Sequence, residues 1–155
     1  MNQIPFKPIY ENETDAKNED NLAKFCEAKW NVKMVRQRKL AQFDYMACMG
    51  DEIRAFVEMR HRTTKSDQHN DEIITISKLL VVKQMLSISK IPHLFVVQWA
   101  DGVVGCANLT KFVQEPFVIV RGPITNNRRN TPDDLEPVTY IPKANFQMVK
   151  HNDKL

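Results

Sequence analysis

Glycine is scarce in this chain: four in 155 residues, at positions 50, 102, 105 and 122. There is thus no glycine-rich loop to cradle a triphosphate and no G-x-S-x-G elbow, which argues against nucleoside triphosphate hydrolysis and serine-nucleophile chemistry. Cysteine is equally sparse. Cys26, Cys48 and Cys106 form no C-x-x-C pair, which disfavours a disulfide framework and a zinc ribbon; they are expected to be reduced thiols. The histidines at 61, 69, 93 and 151 lack metal-ligand spacing, so zinc is not expected. No apolar run approaches the roughly 18 residues needed to span a bilayer. Met1–Tyr10 lacks the basic-then-apolar order of a signal peptide, and a cytoplasmic location without membrane contact is expected.

What is present is ordinary for one globular domain: 43% hydrophobic and 26% charged residues, with a net charge of +3. The charge is unevenly placed. Residues 28–43 carry Lys29, Lys33, Arg36, Arg38 and Lys39 with no acid, a distribution that suits a polyanion. Residues 1–17 are polar and aperiodic and read as a flexible arm, leaving residues 18–155 as the single domain. From Asn18, the three- and four-residue steps of Leu22, Phe25, Cys26 and Trp30 predict a first helix.

Between Gln42 and Arg62 the period changes to two, which predicts a hairpin. A three-residue loop at Gly50-Asp51-Glu52 would pair Phe43 with Met59, Tyr45 with Val57, and Asp44 with Glu58. Met46 and Phe56 on the other face call for cover on both sides of the sheet. Residues 63–72 read as a polar loop and Ile73–Ile91 as a helix whose β-branched start could instead extend a strand. His93–Trp99, the Asp101-Gly102 turn and Val103–Leu109 predict a second hairpin. Phe117–Val120 and Val138–Ile141 read as short strands around a Gly122–Glu136 loop, and the remainder has no clear period.

The chemistry concentrates where Asp44 faces Glu58. Opposed positions on one sheet face hold their Cβ atoms about 4.5–5.5 Å apart, so two carboxylates there repel unless a cation lies between them. Mg²⁺ takes one or two carboxylates together with water and phosphate oxygens. Arg60 and Arg62 project from the same face, and the plainer alternative is that they pair with the acids as surface ion pairs. Glu27 is a weaker helical candidate beside Glu19. Gln98 and Trp99 are expected to be a satisfied strand-end amide and a packing residue, respectively.

In this order, Glu19 in a first helix, Phe43-Asp44-Tyr45 in a strand and Val57-Glu58-Met59-Arg60-His61-Arg62 in the next, the chain from Asn18 to Leu109 resembles the PD-(D/E)XK nuclease superfamily. The resemblance implies an α/β, restriction-endonuclease-like α-β-β-β-α-β core with a mixed central sheet flanked by helices. It implies Mg²⁺, or Mn²⁺, at Asp44, Glu58 and the Met59 carbonyl, with Glu19 orienting a water or second ion. Arg60 stands where the family carries lysine and cannot readily give up a proton. Lys78, in Ile76-Ser77-Lys78, is similar to the position at which some members place theirs.

The implied substrate is DNA, cut in phage-type recombination or DNA processing, as by Holliday-junction-resolvase-like proteins, for which a homodimer is an analogy. Lys33, Arg36, Arg38, Lys39, Arg62, Lys65, Arg128 and Arg129 would grip the phosphate backbone. Two other readings stay open here: a catalytically inactive nuclease-fold module that binds DNA or protein, and a structural or host-interaction protein.

Overall fold

The structure, a computed structural model, describes residues 13–38, 41–121 and 136–150, with backbone alone at 13, 121 and 150. It opens with α1 (Glu13–Trp30), then β1 (Lys33–Arg36), β2 (Tyr45–Met49) and β3 (Glu52–His61). After β4 (Asp71–Thr75) come α2 (Ile76–Ile88), β5 (His93–Gln98), β6 (Val103–Asn108) and the short α3 (Leu109–Phe112). The last strands are β7 (Val120–Arg121), β8 (Pro137–Pro142) and β9 (Phe146–Lys150). No helix among the described residues is long and apolar enough to cross a membrane.

Six strands form the central sheet in the order β1-β2-β3-β5-β6-β9, and a small second sheet runs β4-β8-β7. β3 and β5 are parallel while the other pairings are antiparallel, and parallel neighbours need a long connection, here supplied by β4 and α2. The α-β-β-β-α-β core is therefore present, with β4 inserted ahead of α2.

Both faces of the sheet are covered. Val57 and Met59 pack with Leu22, Ala23 and Cys26 of α1 on one side; Phe95 and Val97 pack with Leu79 and Val82 of α2 on the other. Each such side chain contributes roughly 1.5–3 kcal/mol on full burial, and two-sided cover explains why residues from Ala55 to Met59 are buried without interruption. All three cysteines are free, and burial pushes the Cys26 and Cys106 thiols up to about 12, as suits unreactive packing groups.

The first hairpin keeps its expected register by an unexpected route. Tyr45 pairs with Val57, Met46 with Phe56 and Ala47 with Ala55, but Cys48 then pairs with Ile53 and Met49 with Glu52. The turn is the two residues Gly50-Asp51, with Gly50 at φ 59°, and a bulge at Arg54 restores the alignment further along. Neither expected pair beyond Tyr45 forms: Phe43 does not pair with Met59, nor Asp44 with Glu58, because β2 begins only at Tyr45. Phe43 is placed instead by ring contacts. It lies before β2, its ring 4.6 Å from that of Phe56 and 5.8 Å from that of His93.

Other boundaries shift as well. α1 begins at Glu13 rather than Asn18, since Glu13 and Asp15 place acids in a first turn that favours them. α2 begins at Ile76 because Ile73, Ile74 and Thr75, β-branched, continue β4, where they pair with Tyr140, Thr139 and Val138. The second hairpin forms as expected, from Leu94 opposite Asn108 to Gln98 opposite Val104. β8 matches the expected strand at Val138–Ile141, whereas β1, β9 and α3 were not legible.

Candidate active site

β2 and β3 diverge just before Tyr45, and Asp44 uses the opening. Its amide donates to the Val57 carbonyl at 3.0 Å, and its Oδ2 accepts the Met59 amide at 2.8 Å. The amide and carbonyl of one strand residue leave on the same edge, so the Met59 carbonyl also faces Asp44. Between Val57 and Met59 the side chain of Glu58 turns to the α2 face, where it is buried, only 4% exposed. Burial raises its carboxyl above the usual range, and the Asp44 charge raises it further against the opposing pull of Arg60 and Lys78.

Two cations meet Glu58. Lys78 Nζ, from the first turn of α2, donates to Oε2 at 3.0 Å, and Arg60 Nη2 lies 3.4 Å from Oε1. The Arg60 guanidinium is 45% exposed and so faces outward, while Lys78 is 29% exposed. The expected lysine thus reaches the acid from the helix and the arginine from the strand. The carboxylates of Asp44 and Glu58 are oxygen donors of the kind a hard divalent cation takes, and the repulsion that Asp44 exerts on Glu58 is one such a cation would relieve. Among the described residues no group of three or more His, Cys, Asp or Glu side chains is placed to hold a metal, so Glu19 does not join the pair.

Glu19 instead lies 3.5 Å from Arg36 Nη1. Arg36 also bonds Asp20 at 2.8 Å and the Ala16 carbonyl at 3.0 Å, tying β1 to α1, and Asp20 accepts the Tyr45 hydroxyl at 2.9 Å. The Arg36 guanidinium makes this tie while its side chain remains 36% exposed. Arg62 is likewise committed: Nε bonds Glu72 Oε2 at 2.9 Å and Nη2 the Ile73 carbonyl at 3.1 Å. Of the expected backbone-gripping residues, Lys33, Arg38 and Lys65 are exposed, and Lys39, Arg128 and Arg129 lie outside the described residues.

Glu72, expected in a loop, is a buried hub. Besides Arg62 it accepts the Trp99 indole N–H at 2.6 Å and lies 3.8 Å from Lys143 Nζ, which itself sits 4.4 Å from the centre of the Trp99 ring. Trp99 is buried as expected, seated against Gly105, where a Cβ would come within 2.7 Å of the ring. Gln98 faces a cleft beside α1 rather than the acids. His93, buried beside Phe56 with its imidazole held down to about 4 by burial and by Lys78, was missed altogether. Ile73-Ile74-Thr75 was the signal that placed Glu72 on a strand.

The sequence profile of the family described as phage putative PDDEXK endonuclease matches residues 5–149. The chain belongs to that family. The matched span of the PDDEXK endonuclease contains Asp44, Glu58, Arg60 and Lys78, together with the core elements α1 through β6. No curated protein and no solved structure matches it.

Proposed function

We propose that this PDDEXK endonuclease is a divalent-metal-dependent deoxyribonuclease that hydrolyses phosphodiester bonds during phage recombination or DNA processing. The reading is supported by two bonds to neighbouring positions of β3: Asp44 Oδ2 accepts the Met59 amide at 2.8 Å, and Glu58 Oε2 accepts from Lys78 Nζ at 3.0 Å. Asp44, Glu58 and the Met59 carbonyl would hold Mg²⁺ or Mn²⁺. Such an ion, when bound, acidifies water and draws charge from the phosphate.

The protein's own groups supply the rest. Lys78 is placed to orient the attacking water and to contact the phosphate, and Arg60 to balance charge as it develops. Arg60 does not act as the base, because guanidinium stays protonated. Glu19, held by Arg36, acts at most on the arrangement of α1. Lys33, Arg38 and Lys65 bind the DNA backbone.

Nicking of supercoiled plasmid tests the proposal. Cleavage is expected with Mg²⁺ or Mn²⁺ and lost by roughly 10²-fold or more in Asp44→Ala and in Glu58→Ala. Cleavage that persists in both variants excludes this site.

One observation favours a silent, DNA-binding relative: arginine occupies the strand position where the superfamily resemblance calls for lysine, and Glu58 is already paired with two cations. Salt-sensitive DNA binding without metal-dependent turnover selects that reading.

A further inference from the structure

Lys78 sits where a helix least favours a cation. It lies in the first turn of α2, where unpaired N–H groups give the helix end a partial positive charge. That turn has no acidic residue, and Thr75 makes no side-chain capping bond to it, its hydroxyl lying 3.0 Å from that of Ser77 instead. Nothing within the helix fixes its start. The 3.0 Å bond from Lys78 to Glu58 therefore depends on what holds the crossover against β3.

The crossover is held at Glu72. β4 belongs to the small sheet, where it pairs with β8, and it shares no backbone ladder with β3 or β5. Among the described residues, its hydrogen bonds toward the central sheet run to Arg62 and Trp99. Arg62 Nε donates to Glu72 Oε2 at 2.9 Å, Arg62 Nη2 to the Ile73 carbonyl at 3.1 Å, and the Trp99 indole to Glu72 Oε1 at 2.6 Å. Arg62 follows β3 directly, and its amide is still bonded to the Gln98 carbonyl at 2.8 Å. One planar guanidinium thus grips two successive residues of β4, which a lysine could not do. Glu58 and Arg62 are separated by roughly 13 Å of extended chain, so the crossover meets this strand at two well-spaced points, Arg62 with Glu72 and Glu58 with Lys78. A buried ion pair adds little net stability over an apolar pair of the same shape, so its main consequence is the geometry it enforces.

We infer that Arg62 and Glu72 are positioning residues: their bond sets the start of α2 so that Lys78 meets Glu58. Arg62 then serves the site through the fold. The inference rests on the nuclease reading for what Lys78 does to a phosphate, and on the crossover geometry alone for where Lys78 is held.

The test is a double-mutant cycle on the full chain at pH 7 without metal, read from urea unfolding. Lys78→Met is expected to shift the unfolding equilibrium by about tenfold or more in the wild-type chain, as for other hydrogen bonds to a buried charge, and by less than about threefold in Arg62→Met. Arg62→Met leaves Glu72 with the Trp99 indole and Lys143. Glu72→Gln, which keeps the shape and an acceptor for Trp99, is the second background should Arg62→Met fail to fold. Arg62 and Lys78 share no hydrogen-bond partner, and independent losses of stability would add to within about twofold. The same shift in every background, or a shift below about threefold in the wild-type chain, overturns the inference. Single-turnover plasmid nicking should follow the same cycle: Arg62→Met slows it by about tenfold where Lys78 is present and by less than about twofold in Lys78→Met. Equal slowing in both overturns the inference. Coupled unfolding in a protein that shows no metal-dependent nicking counts against the nuclease reading alone.

Discussion

Lys78 and Arg60 compete for one role, and the residue scale separates them. The buried Glu58 carboxylate receives a charge-assisted hydrogen bond from Lys78, while Arg60, more exposed, sits at a longer distance. Lys78→Ala is expected to reduce single-turnover cleavage by roughly 10²-fold, and Arg60→Lys to keep or raise it. The opposite ranking assigns the chemistry to the strand. His93 gives a pH prediction. Unfolded, it gains a proton near 6.5; folded, it does so only at about 4, so stability is intact above pH 6.5 and is lost as pH falls through that window. The loss is of order 2 kcal/mol, and His93→Gln should flatten it, as read from urea midpoints at pH 7 and 4.5. The period-two pattern showed which side of β3 carries Glu58 and Arg60, whereas Asp44 precedes β2, where that pattern does not reach, and the tie of Glu19 to Arg36 was hidden in a stretch that reads as basic.

At the scale of elements, the Arg62–Glu72 pair joins β3 to β4, and β4 leads directly into the turn of α2 that carries Lys78. Glu72→Ala leaves Arg62 and Lys143 without their carboxylate and Trp99 without an acceptor, so a cost of about 3–5 kcal/mol is expected, measured by thermal or urea unfolding. A near-neutral result would show that the clamp is dispensable. Gly105→Ala forces a Cβ into the Trp99 ring and should cost about 1–3 kcal/mol in the same assay. The two central hairpins were legible from period-two patterning and from Asp101-Gly102. β1, with Lys33 and Arg36 at its ends, and β4, with Asp71 and Glu72 at its start, were hidden because charge dominates their composition. β9 is a sheet-edge strand with exposed Gln147 and Met148, and its place is set by pairing with β6, which no local pattern announces.

For the whole molecule, α1 and α2 cover opposite faces of one sheet, and Asp44 and the exposed Arg60 lie toward one end of it. DNA binding there should weaken steeply with salt. Replacing Lys33, Arg38 and Lys65 together by alanine is expected to lower the log–log salt slope by roughly 2–3, at about 0.9 for each phosphate no longer neutralised. An unchanged slope removes these three from the DNA path. The overall α-β-β-β-α-β order was legible by resemblance, but the second sheet was not, because β7 and β8 are short and distant in sequence from β4. The bulge at Arg54 carries one last consequence. Excising that residue would leave a regular two-residue hairpin in which Tyr45 still meets Val57, so the Gly50-Asp51 tip and the Asp44–Met59 end can be edited separately. A fluorophore or immobilisation handle grafted at this tip would report on the protein without touching that end.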